Sequence, residues 1–266
     1  MEGPSLVILM EDLAPFLGKK VVQASGVYPQ AEALVDQTLR AAKSWGKHAL
    51  LFFDDCTLRI HFLLFGSYLI DKEKEGRAPK LQLKFAGGTV NFHACAIRAV
   101  SEAEIRAYDW TVDLMSNDWD GKRVDEKVMA QGSRPVCDVL MDQDIFAGLG
   151  NIIKNEVLFN LKLHPDTPIS SLGSAMRRKL VQEVRDYSLR FYRWKKAGEL
   201  KKHWKIFRKQ KCADCGRPLV KEETGKSQRV SYYCSVCQPL TFVSARSSKA
   251  NYDKGQAREV AGGSGI

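Results

Sequence analysis

Cys212-Ala-Asp-Cys215 and Cys234-Ser-Val-Cys237 are two Cys-x2-Cys knuckles with 18 residues between them. That spacing brings four thiolates around one tetrahedral ion, and Zn2+ suits a four-sulfur site. One structural zinc per chain is the expectation. Gly216 follows the first knuckle, where the backbone has to turn back under the metal. Lys221, Lys226, Arg229, Tyr232 and Tyr233 fill the intervening loop and its return strand. The alternative is a pair of disulfides in a secreted chain. Spacing this regular favours metal, and the N-terminus does not read as a signal peptide. The other three cysteines, Cys56, Cys95 and Cys137, read as reduced core thiols.

Upstream of the knuckles, Lys195 to Lys211 interleaves cations with Trp204, Ile206 and Phe207. The whole chain of 266 residues carries 41 Lys and Arg against 31 Asp and Glu, a net charge of +10. Such a balance points to a polyanionic partner, nucleic acid first. No apolar run reaches the ~18 residues of a membrane span. The chain is expected to be cytoplasmic, with no membrane partner. Its length allows two domains and a small module.

The second half reads as helical. Met176, Leu180, Val184, Tyr187, Phe191 and Trp194 form a buried stripe on a helix from Ser174 to Lys196. Arg134-Pro135 opens a helix through Val139, Leu140 and Met141. Phe146-Ala147-Gly148-Leu149-Gly150-Asn151 breaks it, and another helix runs from Ile152 through Phe159. A helix–glycine turn–helix leaves backbone amides free at a helix start, where they can hold a phosphate. An ordinary helical hairpin has the same pattern. Ser101-x-x-Glu104 is a capping box for a short earlier helix.

From Val21 to Val100 the pattern is mostly strand. Leu50 to Phe53, a turn at Asp54-Asp55 and Leu58 to Phe65 make one hairpin. Leu81 to Phe85, Gly87-Gly88 and Val90 to Phe92 make another. The half reads as a β-sandwich or barrel with a leading helix, which runs to Leu17 and is closed by Gly18. Taken alone, Met1-Glu2-Gly3-Pro4-Ser5 reads as a frayed terminus and Lys47, in Gly46-Lys47-His48, as a solvated lysine.

The order of these pieces carries more than any one of them. Terminal Glu2-Gly3-Pro4, Gly46-Lys47, His61 to Gly66, Leu140-Met141-Asp142-Gln143, Ala147 to Glu156 and Gln228-Arg229 before the last knuckle resemble the formamidopyrimidine-DNA glycosylase/endonuclease VIII family, over residues 1 to about 240. The resemblance implies an α+β multi-domain chain, with a catalytic N-terminal β-sandwich domain at 1–115 and a linker at 116–124. A helix-two-turn-helix DNA-binding domain at 125–205 and a zinc finger at 206–242 would follow. Residues 243–266 are expected to be a disordered tail.

The resemblance also implies roles. Glu2 would be the general acid/base at the sugar of the damaged nucleotide, and Lys47 the lysine that approaches the phosphodiester and assists elimination. Asn151, with the free amides around Gly150, would hold a backbone phosphate. Arg229 would clamp the phosphates flanking the lesion, as a planar guanidinium can. Leu63, Leu64 and Phe65 would fill the void left by a flipped base. The implied activity is removal of oxidised bases from double-stranded DNA by a monomer, with strand cleavage at the abasic site. Val90 to Ile97 looks more like the endonuclease VIII branch, since the Asp-Pro-Arg-Arg-Phe run of the guanine-lesion branch is missing. That leans the substrate towards pyrimidines.

The sequence departs from the family at the nucleophile. The family uses an N-terminal proline, and here Met1 stands in its place, directly before Glu2. Met before a bulky Glu is expected to be retained, so the Met1 α-amine becomes the expected nucleophile. Ser5 replaces a second family glutamate, and Leu63 is apolar where the endonuclease VIII branch has a polar residue. The alternative function is a relative that binds damage or abasic sites with little catalysis, because the proline is absent.

Overall fold

The computed structural model describes residues 1–240. Helix α1 (Gly3–Leu13) starts with Pro4 in its first turn, where the missing amide costs no hydrogen bond. Glu2 to Leu6 are buried, so the N-terminus is packed and not frayed. A 3-10 turn at Ala14–Phe16 follows, and Gly18 closes the segment at φ 75°, a conformation open to glycine.

Six strands follow: β1 (Val21–Ser25), β2 (Ala41–Trp45), β3 (His48–Phe52), β4 (Thr57–Ile70), β5 (Leu81–Phe85) and β6 (Gly88–Val100). They form one antiparallel sheet in the order β1-β5-β6-β4-β3-β2, and not the two separate sheets of the expected sandwich. The edges are stitched together ahead of β2. Lys20 bridges Thr38, and the amides of Val21 and Leu39 donate to the carbonyls of Gln37 and Lys19. One sheet wrapped round a shared core gives the alternation that suggested two. Its core holds Leu6, Leu9, Leu51, Ile60, Leu83 and Phe92 among others. The pairing of β4 with β6 breaks between Phe62 and Ser67. The break lifts Leu63, Leu64 and Phe65 out of the sheet, 51%, 77% and 75% exposed.

Ser101 and Glu104 form the expected capping box at α2 (Glu102–Arg106). Helix α3 (Gly121–Met129) begins inside the stretch expected to be a linker, capped by Asp120, with Val124 buried. Val112 and Leu114 join the same core, so the helical domain starts before residue 116. Helices α4 (Val136–Met141), α5 (Asn151–Asn160) and α6 (Ser174–Lys196) complete it. Trp45 of β2 also belongs to this core. It stacks on Tyr108 at 4.4 Å and 8°, and its indole donates to the carbonyl of Asp109. Removing a buried indole of this kind costs about 3–5 kcal/mol, so this contact fastens the sheet to the helices beside Lys47.

The C-terminal hairpin is β7 (Val220–Thr224) and β8 (Arg229–Tyr233). Ile206 and Phe159 pack with Cys212 and Cys234 beneath it. Glu156, fully buried on α5, accepts the amides of Lys205, Ile206 and Phe207 as the chain enters this module. Gln238 ties it back, exchanging bonds with Cys234 and donating to the carbonyl of Leu163. The tail expected at 243–266 lies outside the described residues.

Candidate active site

Three glycines let three distant segments meet. The amide of Gly3 donates to the carbonyl of Gly148 at 2.8 Å. A Cβ added at Gly3 would stand 2.9 Å from Gly148 Cα and 3.2 Å from Gly46 O, so no larger residue allows this approach. Gly46 turns β2 into β3 at φ 54°, and its amide is held by the buried carboxylate of Asp113 at 2.9 Å. The consequence is local: the N-terminus, the Lys47 turn and the start of α5 share one spot.

Glu2 occupies that spot, 9% exposed. Its Oε1 accepts from the amide of Ile152 at 2.7 Å and its Oε2 from Ile153 at 3.4 Å. A Cβ added at Gly150 would stand 2.5 Å from Glu2 Cδ. Burial pushes the Glu2 carboxyl above its ordinary range, while the Ile152 and Ile153 amides, Lys47 and the terminal amine oppose it. The sequence pointed to free amides at this helix start. Two of them are taken by Glu2, since a buried carboxylate needs donors and the positive end of a helix supplies them. The amides of Gly150 and Asn151 themselves donate to no protein acceptor among the described residues.

Cations gather round this carboxylate. Burial lowers the Met1 amine below its ordinary value near 8; Glu2 opposes that, and Lys47, Lys195 and Arg229 add to it. Burial also lowers the Lys47 ammonium, with Glu2 opposing and Arg229 adding. Lys47 is thus half-buried beside an acid, not the solvated lysine its strand-end position suggested. The Nδ1–H of His61 donates to the carbonyl of Lys47 at 3.2 Å and braces the turn. Arg229 opens β8 with its side chain exposed. Lys195 of α6 was not singled out from sequence. Its ammonium donates to Ser5 Oγ at 2.6 Å, and burial lowers its proton affinity while Glu2 raises it. A basic residue on the polar side of α6 gave no signal of this.

Asn151 also differs from expectation. Its side-chain amide donates to the carbonyl of Val230 at 2.9 Å, bracing β8 against α5. Asn155 accepts from the amide of Tyr232 at 2.7 Å, and Lys154 donates to Ser231 Oγ at 2.9 Å. Positions i, i+3 and i+4 share one face of a helix, so one face of α5 holds consecutive residues of β8. Sequence reading gave Lys154, Asn155 and Glu156 no role, although they end the stretch Ala147 to Glu156 that carries the resemblance; their own signal is three polar residues interrupting an apolar helix.

The sulfurs of Cys212, Cys215, Cys234 and Cys237 lie within 4.8 Å of one another. Cys212 and Cys237 are 3.8 Å apart, Cys215 and Cys234 3.5 Å. A tetrahedral ion with Zn–S bonds of about 2.3 Å places its sulfurs about 3.8 Å apart. The four thiols therefore fit one such metal ion. No helix among the described residues is long and apolar enough to cross a membrane.

Residues 111–189 match the family model described as the formamidopyrimidine-DNA glycosylase H2TH domain. The chain is 35% identical over 202 residues to Endonuclease 8-like 3 of Mus musculus, covering 73% of this chain and 33% of that protein. It is 34% identical over 198 residues to Endonuclease 8-like 2 of Mus musculus, covering 68% and 58% respectively. The aligned part thus spans a third to somewhat over half the length of these relatives. In fold it is similar to the crystal structure of a viral DNA glycosylase, with a TM-score of 0.78 at 20% identity, over 90% of this chain and 100% of the other. The Lactococcus lactis formamidopyrimidine-DNA glycosylase bound to DNA containing an AP site gives 0.78 at 22% identity with the same coverage.

Proposed function

The chain belongs to the formamidopyrimidine-DNA glycosylase/endonuclease VIII family, and from that premise we propose that it is a base-excision-repair DNA glycosylase. It removes oxidised bases, pyrimidines ahead of purines, from double-stranded DNA and cleaves the strand at the resulting abasic site. The observation that carries this reading is the buried Glu2 carboxylate, bonded to Ile152 and facing the Met1 amine and Lys47, with Arg229 acting on both of those cations.

The chemistry needs an unprotonated amine next to an acid. The Met1 nitrogen attacks C1′ of the damaged nucleotide, and the bond from C1′ to the base breaks with the electron pair leaving on the base, which takes up the proton that the nitrogen gives up. Glu2, its proton affinity raised by burial, supplies a proton to the sugar oxygen as the ring opens to an imine. The Glu2 carboxylate, now unprotonated, takes a C2′ proton, and the C3′–O bond breaks with its electron pair leaving on the 3′ phosphate, the Lys47 ammonium against its charge. Arg229 and the amides of Gly150 and Asn151 hold the flanking phosphates, and the side chain of Asn151 keeps β8 in place. Leu63, Leu64 and Phe65 fill the stack vacated by the extruded base. One Zn2+ on the four cysteines would be structural, holding the hairpin that carries Arg229.

The test is a duplex carrying one oxidised pyrimidine, incubated with the full chain, with free base and cleaved strand measured separately. Excision of the lesion with cleavage at its site is expected. Tight binding without release of any oxidised base would refute the catalytic reading.

A further inference from the structure

Lys154 lies on α5 and is 1% exposed. Besides Ser231 Oγ at 2.9 Å, its ammonium reaches the carbonyls of Val230 at 3.4 Å and Arg229 at 3.5 Å. None of these acceptors is a carboxylate, so the charge is buried without a counter-ion in bonding contact, a costly arrangement. The charged and titratable groups that face it are Cys137 and Asp138 of α4, Asp166 after α5 and Arg229 of β8. Burial pushes the ammonium down to about 8; Cys137, Asp138 and Asp166 oppose that, and Arg229 adds to it.

The neighbouring contacts show what Lys154 alone does. Asn151 holds Val230 and Asn155 holds Tyr232. Asp138 accepts the amides of Lys226 and Ser227 in the hairpin turn. Among the described residues, Lys154 is the one side chain that bonds the backbone of Arg229 itself. A side chain's direction is set by its own backbone, and the Arg229 guanidinium has no ion-pair partner among the described residues to orient it otherwise.

We propose that Lys154 is a positioning residue that aims Arg229 at the nucleic-acid backbone by holding β8, without touching the nucleic acid. The inference rests on the reading of Arg229 as a phosphate clamp.

A thermodynamic cycle tests it. The full chain, Lys154→Met, Arg229→Ala and the double variant are titrated with a duplex bearing a stable abasic-site analogue, across salt concentration and pH. Lys154→Met should weaken binding about tenfold and flatten the salt slope by about 0.9, the signature of one lost phosphate contact. The double variant should bind no more weakly than Arg229→Ala, since both changes remove one contact. A phosphate on Arg229 cancels a positive charge beside Lys154 and so favours its protonated form. Wild-type affinity should therefore fall as pH rises through about 8, by a component absent from Lys154→Met. Losses that multiply, or a Lys154→Met variant that binds as wild type, overturn the proposal. If Lys154→Met fails to fold, Ser231→Ala removes the nearest acceptor instead. It should weaken binding about threefold in the wild type and not at all with Arg229→Ala; no effect in either counts against the proposal. Should Arg229→Ala itself bind as wild type, the clamp reading falls first, and the inference with it.

Discussion

Glu2 Oε1 accepts a hydrogen bond from the amide of Ile152, 150 positions away, at 2.7 Å. That bond joins the N-terminus to the first turn of α5, whose other face holds β8 through Asn151, Lys154 and Asn155. One ten-residue helix therefore carries both the acid and the strand that begins with Arg229. The two sides of the site are fixed to each other through rigid backbone, so small changes at the start of α5 should act on catalysis more than on folding.

Gly150→Ala is the sharpest such change. Its Cβ would fall 2.5 Å from Glu2 Cδ and push the carboxylate off Ile152. A misplacement near 1 Å costs roughly 100-fold in rate. Single-turnover excision should drop by about that factor, with DNA affinity changed less than about threefold. Equal losses in both would place the damage in the phosphate contact of the Gly150 amide or, with a lowered thermal transition, in folding.

The pH profile of base release follows from the same site. The Met1 amine must be free, and burial with Lys47, Lys195 and Arg229 lowers its proton affinity. The rising limb should therefore lie below pH 8. Glu2 must be protonated, and burial raises it, so the falling limb should lie above the ordinary carboxylate range. Lys195→Met removes one cation beside the amine. The amine then holds its proton more tightly, and the rising limb should move to higher pH. A shift to lower pH would contradict the arrangement.

Local patterns made much of the fold legible. The stripe from Met176 to Trp194 gave α6 over Ser174–Lys196, and the knuckle spacing gave the four-sulfur cluster, because each depends on a few neighbouring residues. Glu2 on Ile152 was not legible. It depends on Gly3, Gly46 and Gly148 packing backbone to backbone, and nothing in their own neighbourhoods shows that. The same holds for Lys154 and Glu156, whose partners are the backbones of remote segments. Sandwich and barrel stayed open for the single sheet because strand alternation reports which faces are buried, not which edges meet.

The four cysteines should bind one Zn2+ per chain. Cys234→Ser should lose the metal, loosen β7 and β8, and weaken DNA binding at least tenfold, because a structural metal contributes folding free energy to its module. The sheet domain shares no core residue with that module and should keep its thermal transition. Metal analysis of chelator-free protein, with zinc per chain counted, checks the first claim.

Leu64 and Phe65 stand exposed on a break in β4. If they fill the stack of an opened duplex, Leu64→Ala and Phe65→Ala should slow excision from duplex about tenfold or more, and excision from single strands much less. Only the duplex has a stack to fill. Equal slowing on both substrates would remove the wedge role.

The nucleophile decides whether this chain does the chemistry without the family's proline. An α-amine titrates near 8 and a lysine near 10.4, so at neutral pH far more of the amine is free. At Met1 burial lowers the proton affinity further, and Glu2 adjoins it to move the proton. Lys47 is also depressed by burial, but it starts from a higher value. Borohydride added during turnover should trap a covalent protein–DNA adduct by reducing the imine, and peptide mapping should find it on the Met1 nitrogen of the 266-residue chain. One extra residue before Met1 moves the amine away from Glu2 and should abolish trapping. Lys47→Ala should still trap, while slowing strand cleavage more than base release. An adduct on Lys47 would transfer the nucleophile there. No adduct with any lesion or abasic site would leave a protein that binds damage without excising it.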